Sequence, residues 1–432
     1  MKKRPALKGT VCVPGDKSIS HRSVMFGAIA KGDTRISHLS NGADVSSTMS
    51  CFRQLGIKID ENPSEIVVHG KGMHGLTSPS ETLYAGNSGT TTRLMTGILA
   101  GQPFDSVITG DASICRRPMR RIIDPLTEMG ACIESFEGTG CAPLTITGKP
   151  LHGADWDSPV ASAQVKSAIM LAALYADSPT TVNEPYTSRN HTEIMLPAFG
   201  ASVHTFGTTV FTEPAEELYG QDIYVPGDIS SAAFFIAAAL ITEGSEVLLK
   251  DVGINPTRDG IIKAALEMGG DIEIMNRRSV SGEEMADILV RSSSLHGIRI
   301  GGGLIPSLID EIPVIAVMAA AARGTTVIKD AAELKVKESN RIRTMCENLT
   351  AMGANVTETA DGMIIRGGEP LCGASINTKK DHRIAMSFCV ASLISETPVT
   401  IEGSKCVDIS YPGFYKDFDS LLDEPGEYYI KN

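Results

Sequence analysis

The tetrapeptide Val13-Pro14-Gly15-Asp16 recurs as Val225-Pro226-Gly227-Asp228, 212 residues further on in a chain of 432. Each copy leads into a serine-bearing helix start, Lys17-Ser18-Ile19-Ser20 and Ile229-Ser230-Ser231. Each then runs through small apolar residues to a glycine turn, Lys31-Gly32-Asp33 and Glu243-Gly244-Ser245. A period of half the chain predicts two homologous halves. A shorter unit repeats inside them: an amphipathic helix closing on an apolar residue plus glycine, then a strand. It occurs at Leu55-Gly56, Met129-Gly130, Phe199-Gly200, Met268-Gly269 and Met352-Gly353. These glycines stand where a helix end calls for positive φ. Alternating stretches such as Glu65-Ile66-Val67-Val68-His69 and Leu144-Thr145-Ile146-Thr147 read as strands. The expectation is an α/β fold of two similar domains, each of about three repeated units. The boundary falls at the second tetrapeptide. Symmetry sets residues 1–13 with the C-terminal half, so one domain is 14–226 and the other is 1–13 plus 227–432.

Composition narrows the function classes. The net charge of −12, from 39 Lys+Arg against 51 Asp+Glu, disfavours a general nucleic-acid binder. A small anionic substrate in a locally basic cleft remains open. Nine cysteines, an odd number with no C-x-x-C pair, predict neither a disulfide framework nor a thiolate zinc site. Reduced thiols in a cytoplasmic protein are the simplest reading. Residues 1–5 are basic but lead into no apolar segment, so no signal peptide is expected. The longest apolar stretch, near residues 232–241, is far short of the ~20 residues that span a bilayer. Residues beyond Leu422 read as a loose tail.

Basic and polar residues gather at predicted helix starts, where unpaired N–H groups and the helix dipole suit phosphate or carboxylate. In Asp16-Lys17-Ser18-Ile19-Ser20-His21-Arg22, Ser18 and Arg22 share a helical face and Lys17 sits at the cap; a clamp for phosphate and a plain Ser-capped helix both fit. Gly86-Asn87-Ser88-Gly89-Thr90-Thr91-Thr92-Arg93 is a loop whose glycines let backbone N–H groups approach an anion, with Arg93 one turn inside. Cys115-Arg116-Arg117-Pro118-Met119-Arg120-Arg121 is either an exposed basic face or a site. Pro118 favours at least one defined arginine, for which Arg117 is the choice. Ser162-Ala163-Gln164-Val165-Lys166-Ser167 caps an apolar helix or faces a ligand, and the stretch holding Arg189 and His191 is similar. Asp310-Glu311-Ile312-Pro313 opens another apolar helix, as dipole partners or with one acid as a base. In the run from Glu333 to Arg341, Lys337 and Arg341 are i,i+4 and Glu338 and Arg341 i,i+3, the spacing of a salt-bridged helix. Lys379-Lys380-Asp381-His382-Arg383 opens one more apolar helix, with Arg383 the better ligand candidate. So many cations at helix starts fit substrates carrying several negative charges.

Taken in order, these segments resemble the 5-enolpyruvylshikimate-3-phosphate synthase family of enolpyruvyl transferases. The matching pieces run from Pro14-Gly15-Asp16-Lys17-Ser18 through Gly86–Leu94, Arg117-Pro118-Met119, Ser162–Ala168, Leu308-Ile309-Asp310-Glu311 and Val336–Arg341 to Asp381–Met386. The resemblance implies two domains of three βαβαββ-like units each, an inside-out α/β barrel, joined by a double hinge with the active site in the interdomain cleft. It implies transfer of the enolpyruvyl group of phosphoenolpyruvate to the 5-hydroxyl of shikimate 3-phosphate, with release of phosphate, by a monomeric enzyme needing no metal or organic cofactor. By the same resemblance Lys17, Ser18, Arg22, Ser162, Gln164, Arg189, Asp310 and Lys337 are expected around shikimate 3-phosphate. Lys17, Asn87, Gly89, Arg93, Arg117, Gln164, Arg341 and Arg383 are expected around phosphoenolpyruvate. Asp310 is expected to accept a proton; Glu338, or Lys17, is expected to supply one.

Three positions depart from the family pattern: Val407-Asp408-Ile409-Ser410-Tyr411-Pro412 lacks a lysine some members carry, Ala163 stands where others have serine, and Leu94 where others have proline. The alternatives are the sister transferase acting on UDP-N-acetylglucosamine, and an inactive anion-binding scaffold. Lys17-Ser18, where the sister family has Lys-Asn, argues against the first, and the retained acid pair Asp310 and Glu338 argues against the second.

Overall fold

The structure is a computed structural model that describes residues 5–424, 426 and 428–431; the basic start at residues 1–4 and two residues of the expected tail, Pro425 and Glu427, lie outside it. The chain divides into two compact units. One holds Met1–Pro14, Pro226–Arg278 and Glu284–Asn432; the other holds Gly15–Val225 with Ser279–Glu283. Lys8–Val11, which leads towards Gly15 in sequence, pairs in parallel with Glu246–Gly253. Asp222–Tyr224, which leads towards Pro226, pairs in parallel with Lys31–Ser37. Lys8–Val11 therefore completes a sheet of the unit that lies elsewhere in sequence, whereas Asp222–Tyr224 closes a sheet of its own unit with that unit's first strand.

Gly15–Val225 carries three four-stranded sheets of one pattern. A short edge strand pairs in parallel with the second strand, and the rest of the sheet is antiparallel. The strand order is Asp222–Tyr224, Lys31–Ser37, Glu65–Lys71 and Lys58–Glu61 in one sheet, and the other two repeat it. The second unit has two four-stranded sheets of this order and a third of three strands. All five glycines predicted to end helices do so with φ between +85° and +104°.

The core of each unit is built on three helices buried nearly all round: Lys17–Ile29, Gly89–Ala100 and Ala163–Ala173 in one, Ile229–Ile241, Ile312–Ala321 and His382–Ser392 in the other. They are buried on nearly every face rather than amphipathic, apolar over most of their length with polar residues gathered towards their starts. Sheets such as Lys31–Ser37 with Glu65–Lys71 pack over them. In the second unit Phe234, Phe235, Tyr411, Phe414 and Phe418 stack edge-on or tilted around one another. Among the described residues no single helix is long and apolar enough to cross a membrane.

Two expectations change. Part of the segment expected as a loose tail is a strand: Tyr428–Lys431 pairs in parallel with Val399–Glu402, and the Tyr428 hydroxyl donates to Asp419 at 2.8 Å. The edge of Val399–Glu402 offers these residues a backbone ladder. The run ending at Arg341 is not one helix either. A 3₁₀ turn covers Ala332–Val336, Lys337 is extended, and Asn340 caps the helix Arg341–Ala351 by accepting from the Arg343 N–H at 3.2 Å. The asparagine cap stops the helix short of Lys337 and Glu338.

Helix Gly89–Ala100 crosses helix Ala163–Ala173 so closely that a Cβ on Gly97 would lie 2.2 Å from the Ala168 carbonyl oxygen. Alanine is the better helix former by about 1 kcal/mol. Gly97→Ala is nevertheless expected to destabilise the protein, by about 1–3 kcal/mol, because the two backbones must separate. Urea unfolding of the purified variant measures this.

Candidate functional site

In the unit Gly15–Val225, the first turns of the three core helices are tied together by side chains. Asp16 caps Lys17–Ile29, accepting from the Ile19 N–H at 2.9 Å. Lys17, the first residue of that helix, points its ammonium at Asp44, 3.0 Å away. Arg22, only 2% exposed, donates to the Thr192 hydroxyl at 2.7 Å, the Ser167 hydroxyl at 2.7 Å and the Ser18 carbonyl at 2.9 Å. All three are neutral oxygens, so a buried cation is held without a carboxylate in contact among the described residues. Burial pulls its pKa down to about 10, against the pull of Glu193 and Asp16, and it stays charged at neutral pH.

The glycine loop supplies the second helix start. Ser88 caps Gly89–Ala100, accepting from the Thr91 N–H at 3.0 Å. Arg117 donates to the Asn87 side-chain oxygen at 2.6 Å and the Ser113 hydroxyl at 3.0 Å, while Asn87 donates to Asp111 at 2.6 Å. Arg117 is the buried member of its four-arginine run; Arg116 and Arg120 are exposed and Arg121 half-buried. The helix there begins at Arg120, so Pro118 precedes it rather than occupying its first position. Arg93 donates to Gln164 Oε1 at 2.5 Å and the Pro118 carbonyl at 3.2 Å, and Gln164 donates to the Thr90 hydroxyl at 3.0 Å. Gly89 lies against both guanidinium groups: a Cβ there would sit 2.8 Å from Arg93 Nη1 and 3.4 Å from Arg117 Nη1. Ser162 caps Ala163–Ala173, its N–H donating to Glu184 at 2.8 Å, and Arg189 is half-buried. Lys17, Ser18, Arg22, Asn87, Gly89, Arg93, Arg117, Ser162 and Gln164 thus lie in or beside three helix starts linked by hydrogen bonds, an arrangement of donors whose chemistry suits an anion.

The second unit organises its candidates around Arg341, which is 1% exposed. Arg341 donates to Asp310 at 3.0 Å, Glu338 at 2.6 Å and Asp381 at 2.9 Å. These three carboxylates raise its pKa far above the ordinary arginine value despite burial. Lys337 lies 3.9 Å from Asp310. Asp381 also caps the helix His382–Ser392 through the Arg383 N–H at 3.0 Å and accepts from Ser339 at 3.0 Å. The paired acids Asp310 and Glu311 part company: Asp310 faces Arg341, while Glu311 accepts from Ser230 and lies 3.8 Å from Arg383 Nη1. Ser230 in turn accepts from Arg258 at 2.6 Å. Asp310, Lys337, Glu338 and Arg341 therefore form one cluster, with Arg383 next to it through the Asp381 cap.

Sequence patterns did not mark Asp44 and Asp111, nor the partners of Asp381 and Glu311: Asp44 holds Lys17, Asp111 holds Asn87, Asp381 holds Arg341, and Glu311 lies by Arg383. Each acts on a partner far away in sequence, so no local spacing marks it. Replacing Arg341 with methionine would leave three carboxylates gathered on a missing cation. Arg341→Met is expected to lose about 3–5 kcal/mol of stability, read from urea unfolding near neutral pH.

The whole arrangement has counterparts. The family model described as EPSP synthase (3-phosphoshikimate 1-carboxyvinyltransferase) matches residues 1–418. A 3-phosphoshikimate 1-carboxyvinyltransferase of Thermoanaerobacter sp. (strain X514) is 55% identical over 421 residues, covering 98% of this chain and 99% of its own. One from Brevibacillus brevis is 56% identical over 409 residues, covering 95% of this chain and 96% of its own. The crystal structure of EPSP synthase from Acinetobacter baumannii superimposes with a TM-score of 0.87 at 47% identity, over 98% of this chain and 97% of that one. Identity of this order along almost the full length, on the same fold, means that the chain belongs to the EPSP synthase (3-phosphoshikimate 1-carboxyvinyltransferase) family.

Proposed function

We propose that this transferase of aromatic biosynthesis moves the enolpyruvyl group of phosphoenolpyruvate to the 5-hydroxyl of shikimate 3-phosphate by addition and elimination, with both groups of residues acting on one pair of substrates. The observation that carries the reading is the sharing of Arg341 by Asp310 and Glu338. A protein that only bound anions would have no use for two carboxylates there. The reaction needs a proton taken from the attacking hydroxyl and another given to C3 of the enolpyruvate, and two acids divide that work.

Asp310 takes the hydroxyl proton as the 5-oxygen bonds to C2. Glu338, held by Arg341 beside Asp310, delivers the proton to C3. The tetrahedral adduct then breaks its C2–O bond to phosphate as C3 gives its proton back, which restores the double bond. Lys17 and Arg117 stabilise the departing phosphate. Asn87, Gly89, Arg93, Gln164, Arg341 and Arg383 complete the phosphoenolpyruvate contacts. Ser18, Arg22, Ser162, Gln164, Arg189 and Lys337 hold shikimate 3-phosphate.

We read each unit as an inside-out α/β barrel of three βαβαββ-like repeats, the two joined by a double hinge. We read the enzyme as a cytoplasmic monomer, in keeping with nine free thiols.

Phosphate release from the purified protein should require both substrates, with the enol ether product visible by NMR. Release with either substrate alone, or none with both, would reject the assignment. Asp310→Asn should lower kcat by about 10²–10⁴-fold with little change in the KM of either substrate. Gly89→Ala should raise the KM of phosphoenolpyruvate several-fold and spare that of shikimate 3-phosphate, since the added methyl meets Arg93 and Arg117; steady-state kinetics separates the two.

A further inference from the structure

Behind the Lys17 and Gly89 helix starts lies a chain of hydrogen bonds that no step of the reaction uses. His21 Nδ1 is 2.7 Å from the Thr48 hydroxyl, Thr48 is 2.7 Å from the Thr91 hydroxyl, and Thr91 donates to Ser88 Oγ at 2.7 Å. His21, Thr48, Thr91 and Ser88 are fully buried. The direction of the chain follows from proton supply. Thr91 has one hydroxyl proton and gives it to Ser88, so Thr48 donates to Thr91 and the His21 Nδ1–H donates to Thr48. Nε2 is then the bare ring nitrogen, and it has no hydrogen-bond partner. Burial, with Lys17 and Arg22 nearby, holds the His21 pKa well below its ordinary value, so the ring stays neutral and this polarity persists.

The chain joins three helices by repeated spacing. Lys17 and His21 are one turn apart on Lys17–Ile29; Asp44 and Thr48 are one turn apart on Ala43–Gln54. Lys17–Asp44 and His21–Thr48 are therefore two rungs between the same two helices. From the second rung Thr48 reaches on to Thr91 and so to Ser88, the residue that caps the helix carrying Gly89 and Arg93.

We propose that His21 and Thr48 are positioning residues for phosphoenolpyruvate: through the hydroxyl chain they fix the Lys17 ammonium relative to the glycine-loop helix start with its Gly89 amide and Arg93. The proposal rests on the assignment of Lys17 and Gly89 to phosphoenolpyruvate. Shikimate 3-phosphate, which shares Lys17, is affected less, because Arg22 is tied to helix Ala163–Ala173 directly by its bond to Ser167.

Thr48→Val keeps the shape of the side chain and removes the hydroxyl that serves both links; Thr48→Ser restores it. In wild type and both variants, with matching circular dichroism spectra, kcat and both KM values are measured alongside Gly89→Ala. Misplacement on the ångström scale costs up to about a hundredfold. Thr48→Val is accordingly expected to raise the phosphoenolpyruvate KM at least about tenfold and the shikimate 3-phosphate KM by clearly less, and Thr48→Ser to recover most of the loss. Unchanged kinetics in folded Thr48→Val, equal loss in Thr48→Ser, or an equal rise in both KM values would overturn the proposal. If Thr48→Val does not fold, Thr91→Val cuts the chain at its next link and is read by the same criteria. If Gly89→Ala leaves the phosphoenolpyruvate KM unchanged, the underlying site assignment fails; if only Gly89→Ala raises it, the site stands and the positioning role alone is lost.

Discussion

The structure depends on enclosing six apolar helices so completely that polar groups collect at their first turns. A helix buried on every face still has unpaired backbone N–H groups at its start, and these need acceptors. Here the acceptors are the Asp16, Ser88, Asp228 and Asp381 caps. In each unit, side-chain contacts then tie the first turns together: Arg22 to Ser167 and Gln164 to Thr90 in one, Ser230 to Glu311 and Glu311 to Arg383 in the other. Packing and function thus make the same demand. The dipoles that must be satisfied for folding are the ones that attract anionic substrates.

The repetition of the fold could be read from its sequence because glycine and the Val-Pro-Gly-Asp turn impose local conformations. Positive φ at Gly56, Gly130, Gly200, Gly269 and Gly353 is a property of those residues and needs no partner. Which cations stand at helix starts was legible for the same reason. What holds them was not. Lys17 meets Asp44, Arg341 meets Asp381 and Ser230 meets Glu311 across 27, 40 and 81 residues. Such pairings are set by how the helices pack. Where a local pattern suggested a helical face joining Lys337 to Arg341, the Asn340 cap outcompeted it. The strand Tyr428–Lys431 was hidden likewise, since only the free edge of Val399–Glu402 gives it something to pair with.

The two units surround their charged groups differently although their sheets share a strand order. Around Arg341 three carboxylates crowd one guanidinium, an arrangement rich in groups that move protons. In the other unit Lys17 faces Asp44, while three arginines donate to amides and hydroxyls: Arg117 to Asn87 and Ser113, Arg93 to Gln164, Arg22 to Thr192 and Ser167. Neutral partners orient a guanidinium without cancelling its charge, which is what a binder of phosphate and carboxylate requires.

Arg22 makes this division sharpest. A buried arginine with no carboxylate in contact is costly, and acids are close at hand. Glu193 is near enough to raise its pKa and keeps one buried oxygen without a hydrogen bond. Yet Glu193 and Glu184 both bind Lys166, at 2.7 and 2.8 Å. One lysine thus has two carboxylates while the neighbouring arginine has none. Stability alone would favour sharing them. Giving Lys166 both acids leaves Arg22 with no carboxylate in contact, its hydrogen bonds made to neutral groups that hold it in place. That is the arrangement expected of a cation reserved for an anion that arrives with the substrate.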